Sequence, residues 1–202
     1  MLSRGLDINT KNNDGNTALI SAALTGKRDA VKYLLEKGAD PFIEGHSGIN
    51  PLHAASKDGN VAIIEMVMSR GLDVNSKGNT GITPLMVAAE FGKIEAVNYL
   101  LDKGADLFIR DQLGRNSLHF ASLSDNVATI EAVMSRGLDV DLKDNRGSTP
   151  LMLAAAFGKI EAVNYLLNKG ADPYFRDQLG RNSLHAASEG GNVLIITTIM
   201  SH

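Results

Sequence analysis

The chain has 202 residues, of which 44% are hydrophobic and only 5% aromatic, with no cysteine, no tryptophan and a formal net charge of −3. Without cysteine there are no disulfides, thiolate nucleophiles or cysteine-based zinc sites, and the acidic balance argues against a general nucleic-acid binder, whose affinity rests on many Lys and Arg contacts to phosphate. The longest apolar stretches, such as Val61 to Met68 with Glu65 inside it, fall far short of a membrane span; the start of the chain lacks a secretory signal pattern, and a cytoplasmic location is expected.

Gly15, Gly48, Gly81, Gly114, Gly147 and Gly180 are spaced by 33 residues without a slip. A fixed period of that size marks a stacked-repeat architecture, in which length sets the number of units in one elongated domain. In chain order, residues 1–11 match the tail of a unit, since Ser3-Arg4-Gly5-Leu6-Asp7 parallels Ser69-Arg70-Gly71-Leu72-Asp73. Full units are expected at 12–44, 45–77, 78–110, 111–143 and 144–176, and residues 177–202 lack only the closing hairpin strand.

The unit 78–110 shows the local logic. Thr83 is placed to cap a helix N-terminus, and Pro84 suits the first helical position, where a missing N–H costs nothing. A first helix from Pro84 to Phe91 is expected to stop at Gly92. A second carries Val97, Leu100 and Leu101 on one face and closes at Gly104 in the left-handed conformation. Lys103, with Lys37, Arg70, Arg136 and Lys169 at the same register, suits the negative end of that helix. The chain then leads outward to a turn near Asp111 and Gly114. Asp7, Asp40, Asp73, Asp106, Asp139 and Asp172 form a column at the hairpin entry, explained by turn stabilisation.

A second period of 66 overlies the first: Gly-Lys-Ile-Glu-Ala-Val-Asn-Tyr-Leu-Leu stands at 92–101 and 158–167, and Arg-Asp-Gln-Leu-Gly-Arg-Asn-Ser-Leu-His at 110–119 and 176–185. Two unit types therefore alternate. One carries Thr-Pro-Leu-Met and Lys-Gly-Ala-Asp; the other carries Leu-His and Ser-Arg-Gly-Leu-Asp. Recent duplication of a two-unit block and design both account for such near identity.

These motifs resemble the ankyrin repeat over the whole chain. The family's Thr-Pro-Leu-His and paired alanines correspond to Thr83-Pro84-Leu85-Met86 with Ala88-Ala89 and to Thr149-Pro150-Leu151-Met152 with Ala154-Ala155, and its Leu-Leu-x-x-Gly-Ala-Asp to Leu34-Leu35 through Asp40, Leu100-Leu101 through Asp106 and Leu166-Leu167 through Asp172. The resemblance implies an all-α solenoid of helix-turn-helix units with projecting β-hairpin loops. It implies a protein-interaction module rather than an enzyme, with no cofactor and no metal.

His53, His119 and His185 recur 66 residues apart. Stacked helices lie roughly 8–10 Å apart, so side chains two units apart cannot share one ion. The resemblance implies instead that these histidines hold hairpin backbone. No nucleophile, metal cluster or convergent acid pair supports catalysis, and the short Gly-rich stretches at 78–81 and 190–191 read as turns rather than phosphate cradles.

In the family the usual binding groove is formed by hairpin tips and the exposed side of the first helices. By register, Arg110, Lys143 and Arg176 stand near the hairpins and Arg115, Arg146 and Arg181 beside the turn glycines, so the C-terminal half of that groove is expected to be positive. Phe91 and Phe157 stand at the exposed ends of first helices, where aromatics beside Arg make interface anchors. Ile49, Ile82, Leu113 and Leu179 add apolar patches at the tips, whereas Glu65, Glu95, Glu131 and Glu161 fall on the second helices. The expected partner is another protein or peptide with acidic and apolar groups, and no membrane insertion is expected. Two alternatives keep the fold: a regulatory or anchoring segment of a larger channel, enzyme or effector, and an engineered scaffold. The last helix, with Ile195, Ile196, Ile199 and Met200, is expected to leave apolar side chains exposed at the end of the stack.

Overall fold

The structure is a computed structural model that describes residues 6–202. Residues 1–5, which include part of the proposed N-terminal half-unit, lie outside the described residues. The described chain forms helices in pairs: α1 (Ala18–Leu24) with α2 (Arg28–Glu36), α3 (Pro51–Asp58) with α4 (Val61–Met68), α5 (Pro84–Glu90) with α6 (Ile94–Asp102), α7 (Ser117–Ala121) with α8 (Val127–Met134), α9 (Pro150–Ala156) with α10 (Ile160–Asn168), and α11 (Ser183–Glu189) with α12 (Val193–Met200). Each first helix touches the first helix of the next pair, and each second helix the next second helix, giving two helical layers along the stack. Between them one apolar seam runs from Leu19 to Ile199. No described helix is long and apolar enough to cross a membrane.

The alternation in sequence becomes an alternation of caps. Thr17, Thr83 and Thr149 cap α1, α5 and α9 by accepting the N–H of Ile20, Met86 and Met152. Asn50, Asn116 and Asn182 cap α3, α7 and α11, each with a histidine three residues on that also meets the cap. The first helix of unit 78–110 stops one residue earlier than expected: Phe91 is the C-cap and Gly92 turns the chain at φ +62. Its second helix buries Ala96, Val97, Leu100 and Leu101, and Gly104 adopts φ +87 as its position after the helix requires.

The projecting loops are turns rather than strands. Among the described residues there is only one isolated bridge, Lys11 to Thr17. Each turn is closed by one backbone bond across it, such as Gly78 N–H to Ile82 O at 2.9 Å or Asp111 N–H to Arg115 O at 2.9 Å, with a second inside it, such as Gly81 N–H to Gly78 O at 2.8 Å or Gly114 N–H to Asp111 O at 2.9 Å. Five residues around a left-handed glycine are too few for a ladder across the hairpin. Other bonds run along the stack, Asn79 N–H to Ser47 O, Gln112 N–H to Thr80 O and Asn145 N–H to Leu113 O, each 2.8 Å. The aspartate column is explained by the same economy: Asp7, Asp40, Asp73, Asp106, Asp139 and Asp172 each accept the N–H two residues ahead.

The cations at the ends of the second helices divide by unit type. Lys37, Lys103 and Lys169 lie over the rings of Tyr33, Tyr99 and Tyr165, whereas Arg70 donates to the Leu35 carbonyl and Arg136 pairs with Asp102 in the preceding helix pair. At the last helix the expected exposure is redistributed. Ile195 and Ile199 are buried, and the outward residues are Val193, Leu194 and Met200.

Candidate functional site

The surface formed by turn tips and first-helix ends contains two clefts that meet at Phe91. The first, about 390 Å³, is bounded by Ile20 and Leu24 of α1, Ala54 of α3, Val87 and Phe91 at α5, and Ile49 and Ile82 from the turns, with Lys57 and Glu90 also lining it. The second, about 460 Å³, lies between Phe91 and Phe157 with Leu123, Ser124, Asp125 and Lys159. Phe91 is 44% exposed and Phe157 63% exposed, so neither ring is absorbed by the neighbouring unit. The Lys57 ammonium sits 4.8 Å from the centre of the Phe91 ring, a cation–π contact that holds the ring at the rim. Burial pushes the Glu90 carboxyl above its ordinary range, while Arg115 and Lys57 pull it partly back.

The first cleft has a volumetric cause. Phe120 occupies, almost fully buried, the first-helix position that Ala54 holds 66 residues earlier, and Leu153 occupies it one unit further on. Where the column is small, space remains; where it is large, the surface is filled. Residue types at 33-residue spacing carry that signal in the sequence, but only when side-chain volumes are compared down the column.

The predicted cations are brought to the tips, and several are spent there. Arg110 donates through Nη1 to the carbonyls of Gly114 (2.8 Å) and Lys143 (2.9 Å), tying one turn to the next. Arg176 makes the first of these bonds, to Gly180 at 2.6 Å. Arg115 grips the buried Asp111 carboxylate, with Nη2 at 2.7 Å and Nε at 2.9 Å, and its guanidinium stacks on Phe120. Arg181 bridges Asp177 at 2.8 Å and Glu189 at 2.9 Å. Burial works against the Asp177 carboxylate, but the backbone N–H and guanidinium of Arg181 prevail and hold it below the usual carboxylate range. Lys143 lies 4.2 Å from the Phe175 ring centre. Arg146 is exposed, and no side-chain partner of it is found among the described residues. Carboxylates thus neutralise Arg115 and Arg181, leaving the exposed Arg110, Lys143, Arg146 and Arg176 as the column's outward charge.

The histidines act along the stack. His53 meets the Asn50 side chain through Nδ1 at 2.8 Å and the Ile82 carbonyl of the next turn through Nε2 at 3.0 Å. His119 makes the same Nδ1 contact with Asn116 at 2.7 Å, but its Nε2 is buried without a partner. Burial drives both imidazoles down from 6.5 to about 4. His185 repeats the Nδ1 contact with Asn182 and is exposed, with no turn over it among the described residues.

A further exposed column crosses the surface. Phe42, Phe108 and Tyr174 stand 66 residues apart, two places after the aspartate of Gly-Ala-Asp, and all three are exposed. Their common spacing was visible in the sequence; their exposure depends on how the loop leaves the second helix.

A family model described as ankyrin repeats (3 copies) matches residues 1–78, 42–111, 73–144 and 118–202, which together span the chain. Among solved structures, the human ASB11 ankyrin repeat domain matches with a TM-score of 0.79 at 27% identity, over 92% of this chain and 83% of that one. Comparison with curated proteins finds no match.

Proposed function

Because the chain belongs to the ankyrin-repeat family, whose domains are generally protein-interaction modules, we propose that it is a non-catalytic module that holds a partner protein across its turn tips and first-helix ends. The observation that carries this reading is the pair of clefts meeting at the half-exposed Phe91. An apolar side chain of the partner enters the cleft beside Ala54, a second rests between Phe91 and Phe157, and acidic groups face Lys143, Arg146 and Arg176. Arg115 and Arg181 serve by fixing the turns, their charge matched by Asp111 and Asp177, while Arg110 ties two turns together and still offers its charge. The stack sets these groups in place before the partner arrives, which lowers the ordering cost of association. Supporting a protein over a nucleic acid or a lipid surface are the net charge of −3 and the pairing of the tip arginines with carboxylates.

The test is to select peptides against the parent chain from a displayed random library, then measure the selected peptides on variants. Ala54→Phe fills the first cleft with the residue the chain itself uses at position 120, and Phe91→Ala removes the shared anchor. Each is expected to weaken binding by about tenfold or more, a loss typical of a buried anchor, while urea midpoints stay near the parent's. Full binding to both variants, with loss on Glu95→Lys and Glu161→Lys of the second helices, would place the function on the opposite layer.

A further inference from the structure

We propose that copies of this chain stack head to tail, the face of α11 and α12 of one copy receiving the face formed by residues 6–11, α1 and α2 of the next.

The receiving face carries the residue types of an interior face, exposed among the described residues. On α7 and α8, Leu118, His119, Ser122 and Ile130 have no accessible surface. The same positions on α11 and α12 are Leu184 and Ile196, half-buried, and His185 and Ser188, exposed, with Met200 beside them at 71% exposure. The opposite end shows the complementary pattern. Pro150, Ala154 and Leu166 are buried, whereas Ala18 is exposed and Ala22 and Leu34 are half-buried at the equivalent positions four units earlier. There Leu6, Ile8, Ala18, Ser21 and Leu34 line an open cleft of about 380 Å³.

Register decides which end fits which. Inside the chain every Leu-His helix pair is followed by a Lys-Gly-Ala-Asp pair: α3/α4 by α5/α6, and α7/α8 by α9/α10. α11/α12 is of the Leu-His type, and α1/α2 carries Lys37-Gly38-Ala39-Asp40. Placing α1/α2 of a second copy on α11/α12 therefore continues an interface the chain already makes twice. Residues 6–11 support the same register. Asn9 accepts the Asp40 N–H at 2.9 Å, as Asn75 accepts that of Asp106 at 2.8 Å and Asp141 that of Asp172 at 3.1 Å. They thus occupy the place of a Leu-His unit's loop on α1/α2, and the second copy brings that loop to α11/α12.

The hydrogen bonds match atom by atom. Asn145 N–H donates to Leu113 O, and the corresponding groups, Asn13 N–H and Leu179 O, have no backbone partner among the described residues. His53 Nε2 meets Ile82 O, and the corresponding groups across the junction are His185 Nε2 and Asn16 O. Asn145 presses on Gly114, whereas the space over Gly180 is empty. Because the two faces differ, the contact is heterologous and repeats without closing, so assembly continues past the dimer.

Sedimentation of the parent over a wide concentration range tests this, together with Ala18→Glu, which blocks the donor face, and Ser188→Glu, which blocks the receiving face. Both sites are exposed, and circular dichroism and urea midpoints confirm that the variants are folded. Parent mass is expected to rise with concentration beyond two copies, each variant alone to remain monomeric, and an equal mixture of the two to stop at a dimer. Asn13→Pro, which removes the donor N–H and the side-chain amide whose counterpart at Asn145 donates to Gln112 O at 3.1 Å, is expected to shift parent assembly to higher concentration by about tenfold or more, on the order of 1.4 kcal/mol. A parent that stays monomeric at every concentration overturns the proposal. So does a dimer formed by Ala18→Glu alone and absent from Ser188→Glu, which would mean closed pairing of two C-terminal faces.

Discussion

Residues 110–119 and 176–185 are the same ten amino acids, yet the first stretch is interior and the second is terminal. Both fold locally alike: Asn116 and Asn182 cap a helix, His119 and His185 meet the cap side chain, and Arg115 and Arg181 grip Asp111 and Asp177. They differ in what lies above them. Leu118 and His119 are sealed by the next turn and helix pair, while Leu184 is half-buried and His185 exposed. In a stack, the sequence of one unit determines its own turn and caps, and its neighbour determines burial and therefore energy.

Truncation should expose this difference most strongly. Leu118→Ala removes a fully buried side chain and is expected to cost about 2–5 kcal/mol, as large-to-small changes in close-packed cores do. Leu184→Ala in the identical local sequence should cost roughly a third of that or less, because much of its transfer energy was never gained. Urea midpoints of the two variants measure the ratio directly. Equal losses would mean that the terminal pair is covered in solution, which dilution below the assembly range would then reverse.

The histidines sharpen the comparison through pH. Burial lowers His119 from 6.5 to about 4, so the unfolded chain binds the proton more readily than the folded one between those values. Stability from this site is therefore complete above about pH 6.5 and lost as pH falls toward 4, on the order of 3 kcal/mol in all. His53, lowered to about 4 by the same cause, adds a parallel slope. Unfolding free energies from pH 7.5 to 4 should flatten with His119→Gln or His53→Gln, with His185→Gln as the exposed control. A parent slope retained in both interior variants would show that carboxylates carry the acid sensitivity.

Much of the fold was legible because it rests on local chemistry: a capping Thr such as Thr83 with Pro at the next position, a left-handed glycine such as Gly104 after a second helix, and an aspartate at each loop entry. The binding surface was legible only in part. Phe91 and Phe157 could be placed at helix ends by counting, and the structure leaves both rings exposed. The arginines could be placed at the tips but not released from them, because whether Arg115 reaches solvent or Asp111 depends on how a five-residue turn folds its side chains back. The cleft at Ala54 depends on volumes in three successive units at once. The resemblance implies β-hairpins at the loops, whereas among the described residues their bonds close short turns and run to neighbouring tips without forming strands.

The glycines give the finest form of the comparison, since Gly114 and Gly180 share sequence context and nearly the same φ, +77 and +76. An alanine at either pays the left-handed strain of about 1–2 kcal/mol. At 180 that is the whole cost, because a Cβ there meets nothing within 4 Å; at 114 it would collide with the Asn145 side chain and lie 2.8 Å from the Asn145 backbone nitrogen. Gly114→Ala must therefore also push away the next turn, whose Asn145 N–H to Leu113 O bond is one rung of the tip ladder. Gly114→Ala is expected to exceed Gly180→Ala by roughly the worth of that bond, about 1 kcal/mol. Hydrogen exchange locates the damage: the Asn145 amide should lose protection in Gly114→Ala and keep it in Gly180→Ala. If the two substitutions cost the same and leave Asn145 equally protected, the tips do not bear on one another, and the coupling between units resides in the helices alone.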